Sequence, residues 1–392
     1  MPRLEDVVSD ALGWLEHTIS LDSQNPPGNE QAMATYIADK LQTMDAEVDM
    51  QMVYPQRPNV LGRFHFGDGH VPNSPTLMLH AHTDTVPVAV GGPRDLLTPK
   101  HEAGKLYGRG ACDDKGPLIA MLAACYIAQQ NYADMLAGTL VLAAVMGEES
   151  GGHGSVYLVE NSPLPNYVIV GEPTQLTPVL GHKGSYRKRF RFRGRAAHSS
   201  NPQKGVNAIT HAAAFVLEVE AWNKRLQHHH NPLFGAPVVS ANVIAGGNKL
   251  ITIADACYVD VDRRLVPGET EASVGREVEE IVTNLRARFS ELDVKISDLN
   301  MGKAPAQLPA DHVLAQTLKT SIETVSQKPT DFAGYPAGTD MTFFSAAGVP
   351  AIIFGPGSLE HAHTAYEHID IHEFQTSIEI YLKVICNLLA KY

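Results

Sequence analysis

Up to about residue 180 the chain alternates short apolar runs with helical stretches; near Gly184 that pattern breaks, and it resumes only after residue 298. "TLMLHAH" (76–82), "TLVLAAVMG" (139–147) and "NYVIVGEP" (166–173) have the composition of buried strands, and "GPLIAMLAACYIAQQ" (116–130) that of the helix between two of them. Strand–helix–strand alternation implies a sheet that is mixed but largely parallel, flanked by helices. In contrast "SYRKRFRFRG" (185–194) alternates strictly, with Tyr186, Lys188, Phe190 and Phe192 among charged neighbours, as a strand with one wet face does. A helix (205–222), two strands (238–245 and 256–265), a charged helix (269–290) and a last strand (293–299) follow. That order, β-α-β-β-α-β, is ferredoxin-like. We therefore expect an α/β domain from residues 1–183 and 299–392, interrupted by an inserted α+β domain at 184–298. Two domains are also what 392 residues would suggest.

Composition removes several alternatives. With 44% hydrophobic and 19% charged residues the chain is of the soluble globular class. No apolar run approaches the roughly 20 residues of a membrane span. The first 20 residues read as an amphipathic helix rather than a signal peptide, because acidic side chains come early and no basic stretch precedes an apolar one. Four scattered cysteines (Cys112, Cys125, Cys257, Cys386) fit a reducing cytoplasm better than a disulfide framework. A net charge of −12 argues against a nucleic-acid groove. The tract His228–His230 falls in a predicted loop and reads as solvated.

The chemistry is concentrated at strand ends. In "LMLHAHTDTVP" (77–87), His80, His82 and Asp84 share one face of a strand that a proline then stops. Asp113 and Asp114 follow in "GRGACDDKG", Glu148 and Glu149 in "MGEESGG", Glu172 in "VGEPT", and His361 and His363 in "GPGSLEHAH". In open α/β sheets ligands bind beyond the carboxyl ends of the strands. Carboxylates converging there out of water repel one another unless a cation neutralises them. Imidazoles and carboxylates without a thiolate cluster suit zinc, cobalt or manganese.

Taken together these motifs resemble the co-catalytic di-zinc aminoacylase, deacetylase and carboxypeptidase family, which includes acetylornithine deacetylase, succinyl-diaminopimelate desuccinylase, aminoacylase and glutamate carboxypeptidase. The resemblance runs in family order through "NPPGNE" (25–30), "HAHTDTVP" (80–87), "LYGRGACDDKG" (106–116), "GEESGGHGS" (147–155), "VGEPTQLTPVLGHKG" (170–184), "AAHSSNPQKGVNAI" (196–209), "DRRLVPGET" (262–270), "GTDMTFF" (338–344) and "GPGSLEHAH" (355–363). The stretches around Glu172 and His198 look most like acetylornithine deacetylase.

By position, the resemblance implies that His82 and Glu172 hold one zinc, and Glu149 and His363 the other. Asp113 resembles the bridging carboxylate, in a turn where the family has a cis peptide. Asp84 resembles the acid that orients the His82 imidazole, and Glu148 the general base. His198 resembles the histidine that the inserted lid sends into the partner subunit's site, which implies a homodimer through the lid domain. Arg264 resembles the grip on the substrate's carboxylate. His80 and His361 are rivals to His82 and His363; family register favours the latter pair. Asp114 and Cys112 read as turn packing and solvated charge. Arg263 adjoins Arg264, and a surface salt bridge is the plain alternative for either.

The implied activity is hydrolysis of the amide of an N-acyl amino acid, as in the conversion of N-acetyl-L-ornithine and water to ornithine and acetate. A carboxypeptidase, dipeptidase or desuccinylase is the alternative within the family, and a non-catalytic binding paralogue the alternative outside that chemistry. One departure bears on substrate: "GGNKLITIAD" (246–255) puts Ile251 and Ala254 where many members have Asn and Pro.

Overall fold

The apolar run ending at His82 forms the third strand of a mixed sheet, β3 (Thr76–His82), and is buried along nearly its whole length. The protein is described by a computed structural model covering residues 3–67, 74–89, 92, 95–299 and 302–391. Its chain divides into two compact units: Met1–Gly181 with Gln307–Ala333 and Thr339–Tyr392, and His182–Ala306 with Gly334–Gly338.

In the first unit the helices are α1 (Leu4–Ser20), α2 (Gln31–Thr43), α3 (Lys115–Tyr132), α4 (His153–Asn161), α7 (Val313–Ser326), α8 (Met341–Ala346) and α9 (Ile371–Leu388). Its sheet comprises β1 (Glu47–Tyr54), β2 (Arg57–Phe66), β3, β6 (Gly138–Val145), β7 (Tyr167–Val170), β8 (Val179–His182), β13 (Ala306–Gln307), β14 (Ala333–Tyr335) and β15 (Ala351–Ile353). The order is β1-β2-β6-β3-β7-β15-β8-β13, with β14 on β8. β6, β3, β7 and β15 are parallel; β1 and β2 run antiparallel at one flank, and β8 pairs antiparallel with β15 at the other. A small sheet joins β4 (Lys100–Glu102), β5 (Lys105–Tyr107) and β16 (His368–Asp370).

The four parallel strands are the part that matters for the site. They point their carboxyl ends the same way, and register pairs His82 with Val145, His80 with Val170 and Val170 with Ile353. Whatever follows each strand therefore emerges at one edge. Such strands need cover on both faces. α3 supplies part of it, packing on β3, β6, α1 and α9. It is apolar all round and buried from Lys115 to Ala128 apart from Tyr126, as a helix inside a core is.

The second unit contains β9 (Gly184–Arg193), α5 (Ala208–Leu226), β10 (Val238–Gly246), β11 (Ala256–Leu265), α6 (Glu271–Arg288) and β12 (Asp293–Asp298). Its antiparallel sheet has the order β10-β11-β9-β12, which is the ferredoxin-like arrangement. Along β9, Tyr186, Lys188, Phe190 and Phe192 turn inward while Arg187, Arg189, Arg191 and Arg193 stay at least partly in water. Tyr186, Phe190 and Phe192 meet Phe215, Trp222, Val259 and Leu285 in one core, while Lys188 pairs with Glu271 and Asp298. α6 starts with a reciprocal cap between Thr270 and Ser273. His228–His230 lie in an exposed loop.

The observed boundaries differ slightly from 183/184 and 298/299. Residues 302–306 stay with the second unit because the Ser185 amide donates to the Lys303 carbonyl at 2.8 Å. Residues 334–338 join it as well, with the Lys183 amide donating to the Tyr335 carbonyl at 3.0 Å. In the first unit, α2, β1, β2, α4 and α8 are additions to the elements expected from sequence. β7 also ends at Val170, so Glu172 stands two residues beyond the strand instead of on it.

Phe190 is fully buried, with its ring centroid 4.3 Å from that of Phe215. Phe190→Ala should therefore cost ~3–5 kcal/mol, measurable as a lower denaturation midpoint for the transition that reports the second unit.

Candidate metal centre

Asp113 stands where the strand ends converge, on the turn that leads into α3. Its Oδ1 lies 3.0 Å from His82 Nε2 and its Oδ2 3.2 Å from His363 Nε2. His363 Nε2 is also 3.0 Å from Glu149 Oε1. One carboxylate thus faces two imidazoles, one oxygen each. Ligand atoms of His82, Asp113 and Glu149 all lie within 4.8 Å of one another. Glu172 is buried beside them and feels the charges of Asp113, Glu148, Asp114 and His82.

Electrostatics follows from burial. Loss of water pushes the Glu149 carboxyl up to about 7 despite its bond to His363, and drives the Glu172 carboxyl well above the usual range. Burial opposes charge on Asp113 and on His82. Mutual hydrogen bonds nonetheless keep the Asp113 carboxyl below its ordinary value and the His82 imidazole well above its own. Bonds to Asp113 and Glu149 raise His363 to about 10. These shifts share one origin: more negative charge than two imidazoles neutralise, withdrawn from water. A divalent cation provides the missing countercharge, and two imidazole nitrogens with carboxylate oxygens are donors that zinc, cobalt or manganese accept. The residues fit a metal centre.

Each of these segments is fastened from behind. The Asp84 carboxylate accepts the main-chain amides of Glu148 at 3.0 Å and Glu149 at 3.2 Å, and the Asn25 side-chain amide at 2.9 Å. Asn25 also donates to Ser150 Oγ at 2.7 Å. Gly147, at φ +76°, turns the chain off β6 so that Glu148–Ser150 form a short 3-10 helix over Asp84. His82 Nδ1 lies 2.9 Å from the Asp84 carbonyl and 3.5 Å from its carboxylate. Asp84 therefore fixes both the imidazole and the acidic pair.

The rivals separate clearly. His80 Nε2 is 2.7 Å from Ser155 Oγ, which donates to Asp340 at 2.6 Å, and Phe344 meets the His80 ring edge-on. That buried network pins α4 and the start of α8 to β3. His361 stacks on His368 with ring centroids 4.1 Å apart. Asp114 corrects the expectation of solvated charge, whereas Cys112 packs in the turn as expected. Both are completely buried. Asp114 accepts the His82 amide at 3.1 Å, and burial drives its carboxyl well above the normal range. The peptide bond between Asp113 and Asp114 is cis.

In the second unit His198 is exposed, with Nδ1 held 2.7 Å from Ser200 Oγ. Arg264 is partly exposed and paired with Asp262 at 3.1 Å. Arg263 is not at the surface; it is buried, bonded to Glu269 at 2.5 Å and to the Arg264 carbonyl at 2.7 Å. Asn25, Ser155, Asp340, Arg109 and Glu367 took no role in the sequence reading. Their signal in sequence is weak, because each is a single polar residue whose partners lie tens to hundreds of residues away.

Fold and site define a hydrolase of amide bonds. The chain belongs to the peptidase family M20/M25/M40, whose pattern it matches over residues 78–387. It is 31% identical to the acetylornithine deacetylase of Pectobacterium carotovorum subsp. carotovorum across 83% of this chain and 82% of that protein. Identity to the acetylornithine deacetylase of Proteus mirabilis is 29%, covering 93% and 92%. In fold it resembles a tripeptidase from Staphylococcus aureus (TM-score 0.80, 20% identity, 97% and 98% covered). It likewise resembles a dinuclear metal binding peptidase of the M20 family from Bacillus subtilis (TM-score 0.74, 12% identity, 98% and 99% covered). Among the described residues no helix is long and apolar enough to cross a membrane.

The two strand histidines provide a test. His82→Ala should lose bound metal and nearly all turnover. His80→Ala should keep its metal and much of its turnover while melting at lower temperature, because Ser155 and Asp340 lose a buried partner. Metal analysis and thermal denaturation of both variants check this.

Proposed function

We propose that this protein is a two-zinc amidohydrolase that releases an amino acid from its N-acyl derivative, with acetylornithine deacetylase-like activity as the first assignment. The observation that carries the reading is the Asp113 carboxylate, which offers one oxygen to each of two imidazoles amid buried acids. His82 and Glu172 would hold one zinc, Glu149 and His363 the other, with Asp113 shared; cobalt or manganese suits the same donors. When bound, such ions acidify water and polarise a carbonyl.

The chain's own groups do the rest. Glu148, beside the ligand Glu149, takes the proton of the attacking water on its carboxylate and delivers it to the leaving nitrogen. Asp84 holds it in place through its main-chain amide. Arg264, partly exposed, binds the substrate's α-carboxylate, a task suited to a planar guanidinium; Arg263 is fully buried against Glu269. His198 donates a hydrogen bond to the developing oxyanion of the neighbouring chain's site.

That last role requires a homodimer. Exposed apolar side chains on the second unit support one: Ile209 and Leu217 on α5, Val243 and Ile244 on the edge strand β10, and Leu250 and Ile251 beyond it. A cytoplasmic setting suits four free cysteines, three of them buried. A peptidase acting on short peptides is the second reading. It is favoured by likeness in fold to a tripeptidase, and Ile251 and Ala254, at lid positions where many family members have Asn and Pro, leave room for a substrate other than acetylornithine.

Glu148→Gln should retain both metals but lose on the order of 10²–10⁴-fold in rate. Turnover of N-acetyl, N-succinyl and N-formyl amino acids and of dipeptides by the parent decides the substrate class. A Glu148→Gln protein with less metal than the parent would reverse the roles of Glu148 and Glu149.

Arg264→Ala should raise KM sharply for substrates with a free α-carboxylate and change little for the corresponding amides. Steady-state kinetics on matched acid and amide pairs measure the difference; equal treatment of both by parent and variant would move the carboxylate pocket elsewhere.

A further inference from the structure

Glu367 is a fully buried acid whose carboxylate is hydrogen-bonded to the turn that carries Asp113. Its Oε1 accepts three main-chain amides of a single turn, from Gly110 at 2.9 Å, Asp113 at 3.3 Å and Cys112 at 3.4 Å. Its Oε2 accepts from Arg109 Nη1, and its own carbonyl accepts the Gly108 amide at 3.1 Å. Residues 109–113 therefore wrap around one side chain. Amides converging on a point form an anion-binding nest, and here the anion is part of the protein. The nest includes the amide of Asp113 itself, so it sets where that residue's carboxylate starts from.

Glu367 also lies four residues after His363, which adopts φ +63°, a conformation that a non-glycine residue keeps only when its surroundings impose it. β5 and β16 continue the attachment, pairing Tyr107 with His368. The Cys112 thiol adds a link from the same turn to the Ser358 carbonyl at 3.7 Å.

We propose that Glu367 is a positioning residue of the metal centre: its buried carboxylate gathers the amides of the Asp113 turn and ties that turn to the loop carrying His363. The inference rests on the reading of Asp113 and His363 as metal ligands. A bond from behind a ligand ordinarily controls metal affinity and rate together, since an error of about 1 Å in a reacting group can cost 10²-fold.

Two variants separate positioning from plain stabilisation. Glu367→Gln keeps an oxygen for the three amides but leaves Arg109 without its counter-charge. Glu367→Asp keeps the charge but withdraws the acceptor by one methylene. Zinc affinity of the folded apoproteins, measured by chelator competition, the absorption spectrum of the cobalt(II) forms, and thermal stability are read on both. Positioning predicts a crossed result: Glu367→Asp weakens zinc binding by about 10–100-fold, alters the cobalt spectrum and lowers kcat more than it raises KM. Glu367→Gln is then the less stable protein but the better metal binder of the two. Parent-like affinity in both, or affinity that follows stability with Glu367→Gln the worse binder, overturns the proposal while leaving the metal centre intact. A parent that binds no zinc overturns the ligand reading and this inference with it.

Discussion

The Asp113 carboxylate is the point on which the first unit depends. It can face two imidazoles at 3.0 and 3.2 Å only if its turn, β3 and the His363 loop arrive at one place with sub-ångström agreement. Parallel β6, β3, β7 and β15 deliver the segments to a common edge, and the cover on both faces of those strands keeps water from screening the charges that meet there.

Fine placement is left to a second group of acids. Asp84 holds the amides of Glu148 and Glu149, Asp114 the amide of His82, and Glu367 the amides of Gly110, Cys112 and Asp113. The recurring device is a buried carboxylate that accepts main-chain N–H groups at a strand end or in the turn beyond it. It suits this place because every short loop leaving a strand must satisfy its amides without solvent. The centre is thus built from acids in two roles: those that face the cation and those that fix the backbone under them.

Much of this was legible in the chain. The period change near Gly184 announced the second unit, because alternation along β9 is a local pattern that burial on one face enforces. His80, His82, Asp84, Asp113, Asp114, Glu148, Glu149, Glu172, His361 and His363 stand out as polar groups just after apolar strands or in glycine-rich turns, and only the family resemblance chooses among them. The sequence could not reveal why His80 faces the same way as His82. Its partners, Ser155 and Asp340, are 75 and 260 residues away in sequence, and only packing of α4 and α8 brings them to β3. Asp114 is illegible for a similar reason: in a charged turn it reads as solvated, and its burial depends on the covering layers. β1 and β2 escaped notice because polar residues interrupt their apolar positions.

The distances along the chain between interacting groups also imply an order of assembly. His82 meets Asp113 across 31 residues, between the end of β3 and the turn before α3, with β4 and β5 on the way. His363 meets Glu149 across 214 residues. Closure entropy grows only with the logarithm of loop length, but it must be met before the contact forms. The whole of His182–Ala306 lies inside that longer loop as a unit with its own core. Once folded, it acts as a short rigid spacer in place of flexible chain, lowering the entropy lost when the ends meet. The insertion therefore does more than add a second unit: with its own ends tied by the Ser185 amide and the Lys303 carbonyl, it shortens the effective loop between Glu149 and His363.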